Sequence, residues 1–313
     1  MITRRYLLKL CAGAGATLLF KKLPAFAQSS SMLLREIPSS GAMLPAVGLG
    51  TARTFNVGTD EDVLSPLREV MRLFIEMGGT LIDTAPAYGS SEEVTGGLIR
   101  DLDVLDDLFL ATKVSTRGRD QAIEQMRNSM RLLGSESLEL MQIHNVQRYD
   151  SDDVATLLAI LREWKAAGRL RYIGITTSSL RAHERVSQLL QAETLDFVQV
   201  NYSIGTRQAE ERLLPLAADR GVAVIVNRPY ERARLFRAVG ERAVPDWAAD
   251  FDCDSWGQFF LKYILSNPAV TCVIPATTKP HHLQDNMGAG YGRLPDGAAR
   301  DRMVEFFDAI PGT

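Results

Sequence analysis

The segment Leu138-Glu-Leu-Met-Gln-Ile-His144 is apolar along most of its length. A stretch with Val154, Leu157, Leu158, Leu161 and Trp164 on one helical face follows it, and then a second apolar run, Tyr172-Ile-Gly-Ile-Thr176. An apolar strand, an amphipathic helix and another apolar strand read as a parallel βαβ unit buried on both faces. Similar runs stand at Val47-Gly-Leu-Gly50, Thr80 to Asp83, Leu108 to Val114, Asp196 to Asn201, Val222 to Asn227 and Val270 to Pro275, eight in all. Eight such α/β units close into a (β/α)8 TIM barrel. A doubly wound open sheet is the alternative, but no Gly-x-Gly-x-x-Gly turn follows an early strand, as a dinucleotide-binding open sheet would need. Before the first barrel strand, Met32 to Ile37 and Ala42 to Val47 flank Pro38-Ser-Ser-Gly41, which predicts an N-terminal β-hairpin cap on the barrel floor. The long stretch Tyr230 to Asp254, between the seventh and eighth strands, predicts a lid or pocket wall.

The chain opens with Arg4-Arg5, an apolar region from Leu10 to Phe20, and small residues at Ala25 and Ala27. These features predict a signal peptide over residues 1–27, exported by the twin-arginine machinery to the periplasm, with the barrel domain over 28–313. A short membrane anchor or a cytosolic helix is the alternative, and Lys21-Lys22 favours it. Loss of residues 1–27 removes five of the 35 basic residues and none of the 38 acidic ones. The remainder is acidic and has no basic block, which excludes nucleic acid as a partner. Cys253 and Cys272 lack metal-site spacing and the chain has only four histidines, so no metal is expected. Cys272, in mid-strand, reads as a small core hydrophobe. No heptad seam calls for a dimer, so a monomer is expected.

Asp83, Tyr88, Lys113 and His144 stand at or just beyond the C-terminal ends of three successive strands, which is where a barrel gathers its active site. A phenol of pKa ~10 is a weak catalyst at neutral pH. Lys113 beside it would lower that pKa, Asp83 would keep Lys113 charged, and His144 would orient a substrate carbonyl. Protonation of a carbonyl oxygen then needs a hydride donor, which no side chain supplies.

Several motifs occur in order: Gly48-Leu-Gly-Thr51, Leu81-Ile-Asp-Thr-Ala-Pro-Ala-Tyr-Gly89, Ala111-Thr-Lys113, Gln142-Ile-His144, Gln199-Val-Asn-Tyr202 and Ile274-Pro-Ala-Thr277. In these the chain resembles the aldo-keto reductases, from about Val47 to Ala289. The resemblance implies an NADPH-dependent reductase, with NADH possible, that acts on a small-molecule aldehyde or ketone. It makes Tyr88 the general acid, Lys113 and Asp83 its pKa-setting partners, and His144 the carbonyl-positioning residue.

The same resemblance implies a cofactor-binding set of Thr51, Thr176, Thr177, Gln199, Asn227, Arg228, Pro275, Thr277, Lys279, His282 and Asn286. The set departs from the family pattern in places. Thr176-Thr177 stand where Ser-Asn is usual, and Asn227-Arg228-Pro229 replaces an aromatic-Ser-Pro pattern, which removes the ring that stacks on the nicotinamide. Arg228 is either a pyrophosphate ligand or a rim arginine paired with Glu231 or Asp254. His282 is the one residue at the expected 2′-phosphate positions able to carry charge, so weak discrimination against NADH is expected. Phe55, Asn145 and Tyr230 are expected substrate-pocket walls, with Trp247 as a further candidate. The short segment after the last helix, Asp308 to Thr313, predicts an open pocket suited to small or aromatic aldehydes. Two other readings are a cofactor-binding sensor on the same fold and a Schiff-base lyase with Lys113 as nucleophile.

Overall fold

The computed structural model of the protein describes residues 31–311, so the expected signal segment lies outside the described residues. Strands β1 (Leu34–Ile37) and β2 (Ala42–Pro45) pair antiparallel, with Leu34 opposite Pro45 and Ile37 opposite Ala42. This is the expected hairpin. Its apolar residues Ile37 and Leu44 are buried against the barrel-interior residues Leu81, Phe109, Leu140 and Tyr172, and the Ser40 hydroxyl meets Tyr172 Oη at 2.7 Å. The hairpin therefore plugs the N-terminal mouth of the barrel.

Eight parallel strands follow: β3 (Leu49–Gly50), β4 (Leu81–Asp83), β5 (Phe109–Val114), β6 (Leu138–Ile143), β7 (Leu170–Thr176), β8 (Phe197–Asn201), β9 (Ala223–Asn227) and β10 (Val270–Val273). Each pairs with its neighbour in chain order. Closure comes from a bridge between Val47 and Val273 and from Gly48 N and Gly50 N donating to the carbonyls of Val273 and Pro275, both at 2.9 Å. Gly50 allows this approach, because a Cβ there would lie 2.9 Å from the Ile274 carbonyl oxygen. The sheet closes in sequential order, so the open doubly wound alternative is excluded.

Side chains alternate across the sheet with period two. Ile82, Leu110, Met141, Ile143 and Val198 point outward into one core shared with the helices, and Leu81, Phe109, Leu140, Phe197 and Ile225 point inward into a second. The outer layer is built from α1 (Glu61–Glu76), α2 (Ser91–Leu102), α3 (Arg119–Leu133), α4 (Ser151–Ala166), α5 (His183–Ala192) and α6 (Leu213–Asp219), completed after β9 by α7 (Arg234–Val239) and α8 (Trp256–Leu265). α4 buries Val154, Leu157, Leu158, Leu161 and Trp164, the face expected from its periodicity, and Asp150 caps it by accepting from Asp153 N at 2.8 Å. After β10 come α9 (Pro280–Gly288), begun by its proline, and α10 (Gly297–Asp308).

The stretch between β9 and β10 is not one lid. Trp247 packs edge-on against Phe251, Phe259 and Phe306, away from the catalytic rim, so it is not a pocket wall. From this stretch the loop after β9, Phe236 of α7 and the start of α8 line the cavity at the rim.

Candidate active site

Inside the barrel the rings of Phe109, Tyr172 and Phe197 form a floor, with centroids 5.4 to 5.9 Å apart. Above it, toward the C-terminal ends, the inward positions turn polar. Asp83 stands two residues beyond Leu81, Lys113 four beyond Phe109, and Gln199 two beyond Phe197, so the strand period places all three in the same lumen. Lys113 is fully buried. Its Nζ donates to Asp83 Oδ2 and to the Thr84 carbonyl, both at 2.7 Å. The other Asp83 oxygen, Oδ1, accepts from Gln199 Nε2 at 2.8 Å and from Gln142 Nε2 at 3.4 Å. Gln199 Oε1 in turn accepts from Asn227 Nδ2 at 3.2 Å. Both Asp83 oxygens and the Lys113 ammonium are thus partnered across the barrel, while Gln142 Oε1 and Asn227 Oδ1 stay without a partner.

Burial, the largest single influence, would push Lys113 toward neutrality, but Asp83 and Tyr88 together outweigh it and the ammonium pKa is raised. The proton therefore stays on Lys113. A Schiff-base nucleophile must lose that proton and meet its substrate, whereas Lys113 is sealed beneath the rim and ion-paired, so the lyase reading is set aside.

Tyr88 follows the strand on a short 3₁₀ turn, Pro86–Tyr88. Its ring centroid lies 5.0 Å from Lys113 Nζ and 5.6 Å from the His144 ring, edge to face at 89°. The loop turns at Gly89, whose φ of +64° and whose missing Cβ, which would stand 2.2 Å from Asn56 Oδ1, both require glycine. Burial pushes the Tyr88 phenol up, Lys113 pulls it down, and the net direction is up. This corrects the expected net lowering: desolvation exceeds the attraction of the cation, so Tyr88 is held protonated. His144 is pushed the other way, to about 3, by burial and by the charges of Lys113 and Arg148, and so is a neutral imidazole. Its Nδ1 is buried without a partner, which leaves Nε2 to meet a ligand.

Asp83, Tyr88 and His144 open on a cavity of about 1030 Å³. Of the expected cofactor residues, Thr176, Gln199, Asn227 and Arg228 line it near the barrel axis, and Thr277, His282 and Asn286 line it beside α9. Asn227 Oδ1 is buried and unpartnered, and Gln199 Oε1 has a second lone pair. These two acceptors fit the N–H groups of a nicotinamide carboxamide. No ring stands at position 227 to stack on it.

Other expected contacts do not line the cavity. Thr51 is buried and its hydroxyl donates to the Asp83 carbonyl at 3.0 Å. Thr177 is buried and donates to Gln147 Oε1 at 3.0 Å. The Pro275 carbonyl closes the barrel, and the Lys279 N–H caps onto Thr277 Oγ1 at 3.0 Å. Phe55 is 0% exposed and packs in the outer core, so it is no substrate wall. Asn145 does line the cavity, at φ +57°. Tyr230 lines it too, but at the α9 end: its hydroxyl donates to Asn286 Oδ1 and its ring packs on Phe236 at 4.8 Å.

Arg228 has neither of the expected carboxylate partners. Glu231 is taken by Ser203, Thr206 and Arg234, and the contact at Asp254 is made by its backbone N–H, to Gln258. Sequence reasoning missed Gln142, which braces Asp83, and Arg53 and Arg232, which line the cavity. The crowding of Arg228, Arg232, Arg234 and Arg237 after β9, in an acidic chain, was a readable signal for the second of these arginines.

A lumen ion pair beneath a tyrosine and a neutral histidine, at the C-terminal mouth of an eight-stranded barrel, defines a carbonyl-handling class of site. Residues 46–299 match the Aldo/keto reductase family, and the chain belongs to that family. It is 29% identical over 205 residues to aldo-keto reductase YhdN of Bacillus subtilis, a match covering 61% of this chain and 60% of that protein, less than two thirds of its length. It is 29% identical over 252 residues to methylglyoxal reductase YeaE of Escherichia coli, covering 79% and 86%. An aldo-keto reductase of Klebsiella pneumoniae, solved in complex with NADPH, has the same fold, with a TM-score of 0.73 over 89% of this chain and 95% of that one at 23% identity.

Proposed function

We propose that the protein is an NAD(P)H-dependent oxidoreductase that reduces a small aldehyde or ketone to an alcohol, with Tyr88 as proton donor. The observation that carries this reading is the protonated Tyr88 set 5.0 Å from the buried Lys113 ammonium and beside neutral His144, on one cavity. A nicotinamide cofactor, when bound there, would supply the hydride for the carbonyl carbon. His144 Nε2–H holds the carbonyl oxygen, and Tyr88 O–H gives it a proton as charge develops there. The Lys113 ammonium, fixed by Asp83, stabilises the phenolate that results, and it must be reprotonated before the next turnover. Asn227 and Gln199 would hold the carboxamide, with Arg228 and Arg232 available to the diphosphate. The methylglyoxal reductase relative supports small carbonyl compounds as the substrate class.

NADPH is the expected cofactor, with weak discrimination against NADH. Ala276 carries no charge, Lys279 does not line the cavity, and burial with His281 and Lys279 nearby lowers the His282 pKa, which leaves it neutral at pH 7. The test is to load the purified protein with NADPH or NADH, measure binding by fluorescence, and follow oxidation with a panel of aldehydes. Absence of binding by both nucleotides would defeat the reading.

The Arg4-Arg5 start supports export by the twin-arginine route, with nucleotide loaded before passage and the periplasm as destination. Export also favours a second reading, a cofactor-bearing sensor that turns over once. Protein purified from periplasm separates the two, since an enzyme keeps turning over with added nucleotide and a sensor stops after one bound equivalent.

A further inference from the structure

A second cavity, of about 410 Å³, lies beside the first, among the loops that follow β7, β8 and β9. Arg181, Arg228 and Arg232 line it, and among the described residues none of these guanidinium groups is paired with a carboxylate. Burial first, and then the charge of Arg232, lower the Arg228 pKa, as happens when cations crowd without a counter-charge. Glu231, the acid on this wall, is already occupied. Its Oε1 accepts from the Ser203 and Thr206 hydroxyls, and its Oε2 from Arg234 Nε at 2.6 Å.

Asn201, the last residue of β8, lines the same cavity at 7% exposure, and its Oδ1 has no hydrogen-bond partner. The His183 ring stands close to it without closing a bond of normal geometry. The wall therefore offers three charged donors and one buried acceptor. A phosphate group carries nearly two charges and three acceptor oxygens, so it answers three guanidinium groups from two loops better than a carboxylate with one charge does. A hydroxyl beside the phosphate answers Asn201. The volume lies at the lower end of the range for small-molecule sites, roughly 300–1,000 Å³. Arg228 and Arg232 also line the first cavity and so form the partition between the two, whereas Arg181 lines the second alone.

We propose that this second cavity binds a phosphate group, free or on a small sugar, through Arg181, Arg228 and Arg232, and that its occupancy opposes nucleotide binding by drawing the shared Arg228 and Arg232 to its own side. The opposition is reciprocal, so bound nucleotide weakens phosphate binding by the same factor. Only this coupling rests on the reductase reading.

The test uses the purified full chain at fixed ionic strength, with chloride exchanged for inorganic phosphate or ribose 5-phosphate, and with ribose as the control. Calorimetry is expected to show phosphate bound at a single site with a Kd of about 1 mM or tighter, and no heat from ribose. Tighter binding of ribose 5-phosphate marks a sugar phosphate as the ligand, and equal binding marks free phosphate. Arg181→Gln weakens both about tenfold and Arg181→Lys recovers part of the loss, while the nucleotide Kd measured without phosphate moves by less than about twofold. In the parent, the nucleotide Kd read by fluorescence climbs with phosphate to a plateau about tenfold higher, and in Arg181→Gln the same climb needs about ten times more phosphate. No phosphate heat, or binding indifferent to Arg181, would overturn the site. A nucleotide Kd that climbs without a plateau, and alike in both proteins, would put the phosphate in the first cavity and overturn it as well. Phosphate held at Arg181 with no nucleotide bound at all would sink the reductase reading and leave the phosphate site standing.

Discussion

Gln199 Nε2 donates to Asp83 Oδ1 at 2.8 Å while Lys113 holds Asp83 Oδ2 at 2.7 Å. The carboxylate is thereby fixed from β8 on one side and β5 on the other, and the Lys113 ammonium can neither drift nor lose its proton. The charge under Tyr88 is a built feature of the barrel lumen.

Replacing Asp83 by Asn leaves Lys113 buried without its counter-charge, which costs about 3–5 kcal/mol for a broken buried pair. We expect a clear loss in denaturant midpoint together with a fall in kcat. The double variant Asp83→Asn with Lys113→Met should recover stability but not activity. Full stability in Asp83→Asn alone would show that the pair is not the lumen's anchor.

The directions of the two pKa shifts set the pH profile. Tyr88 acts protonated and its pKa is raised, so reduction should stay level through neutral pH and fall only above ~10, as pH climbs through the phenol's pKa. His144 acts neutral and remains so down to about 3, so no acid limb near the usual histidine value is expected in kcat/KM. Stability behaves differently: the unfolded His144 takes up a proton below ~6.5 that the folded one refuses, so stability falls as pH drops from there toward about 3. His144→Gln should remove that part of the acid slope in urea titrations.

Glu92, in the first turn of α2, is buried, accepts from Thr112 Oγ1 at 2.6 Å, and has its pKa raised chiefly by burial. A carboxyl raised in the folded state binds its proton more tightly there, so its charged form subtracts stability once pH exceeds the unfolded value of ~4.3. Glu92→Gln is expected to raise Tm by a few degrees at pH 8 and to match the parent at pH 4, as measured by calorimetry.

Glu231 holds a loop with four left-handed non-glycine residues, each a conformation that costs about 1–2 kcal/mol. Without that anchor the loop relaxes and Arg228 and Arg232 lose their aim. Glu231→Ala should weaken nucleotide binding about tenfold by fluorescence titration, with Glu231→Gln in between. An unchanged Kd would remove this loop from the cofactor's side of the cavity.

The sequence made the eight strands legible because parallel strands buried on both faces are continuous apolar runs, and Asp83, Lys113 and His144 showed as polar residues at the ends of such runs. Contacts made by short loops did not show. Phe55 reads like a pocket aromatic, yet the chain folds it back into the outer core. Thr51 and Thr177 read as ligand hydroxyls, yet each is spent on a neighbour. Arg53 carries no local signature, and its place on the cavity beside Arg228 depends on where the loops after β3 and β9 lie. The sign of the Tyr88 shift also needed the structure, since burial and the Lys113 charge oppose each other there.

The central claim is that Tyr88 gives the proton. Its most direct test is kcat/KM for reduction of a 2-oxoaldehyde by Tyr88→Phe with nucleotide at saturation, beside a fluorescence Kd for that nucleotide. Loss of a positioned proton donor is expected to lower kcat/KM about 10²–10⁴-fold with the Kd preserved. A Tyr88→Phe protein that binds nucleotide and reduces the aldehyde at the parent's rate would contradict the account.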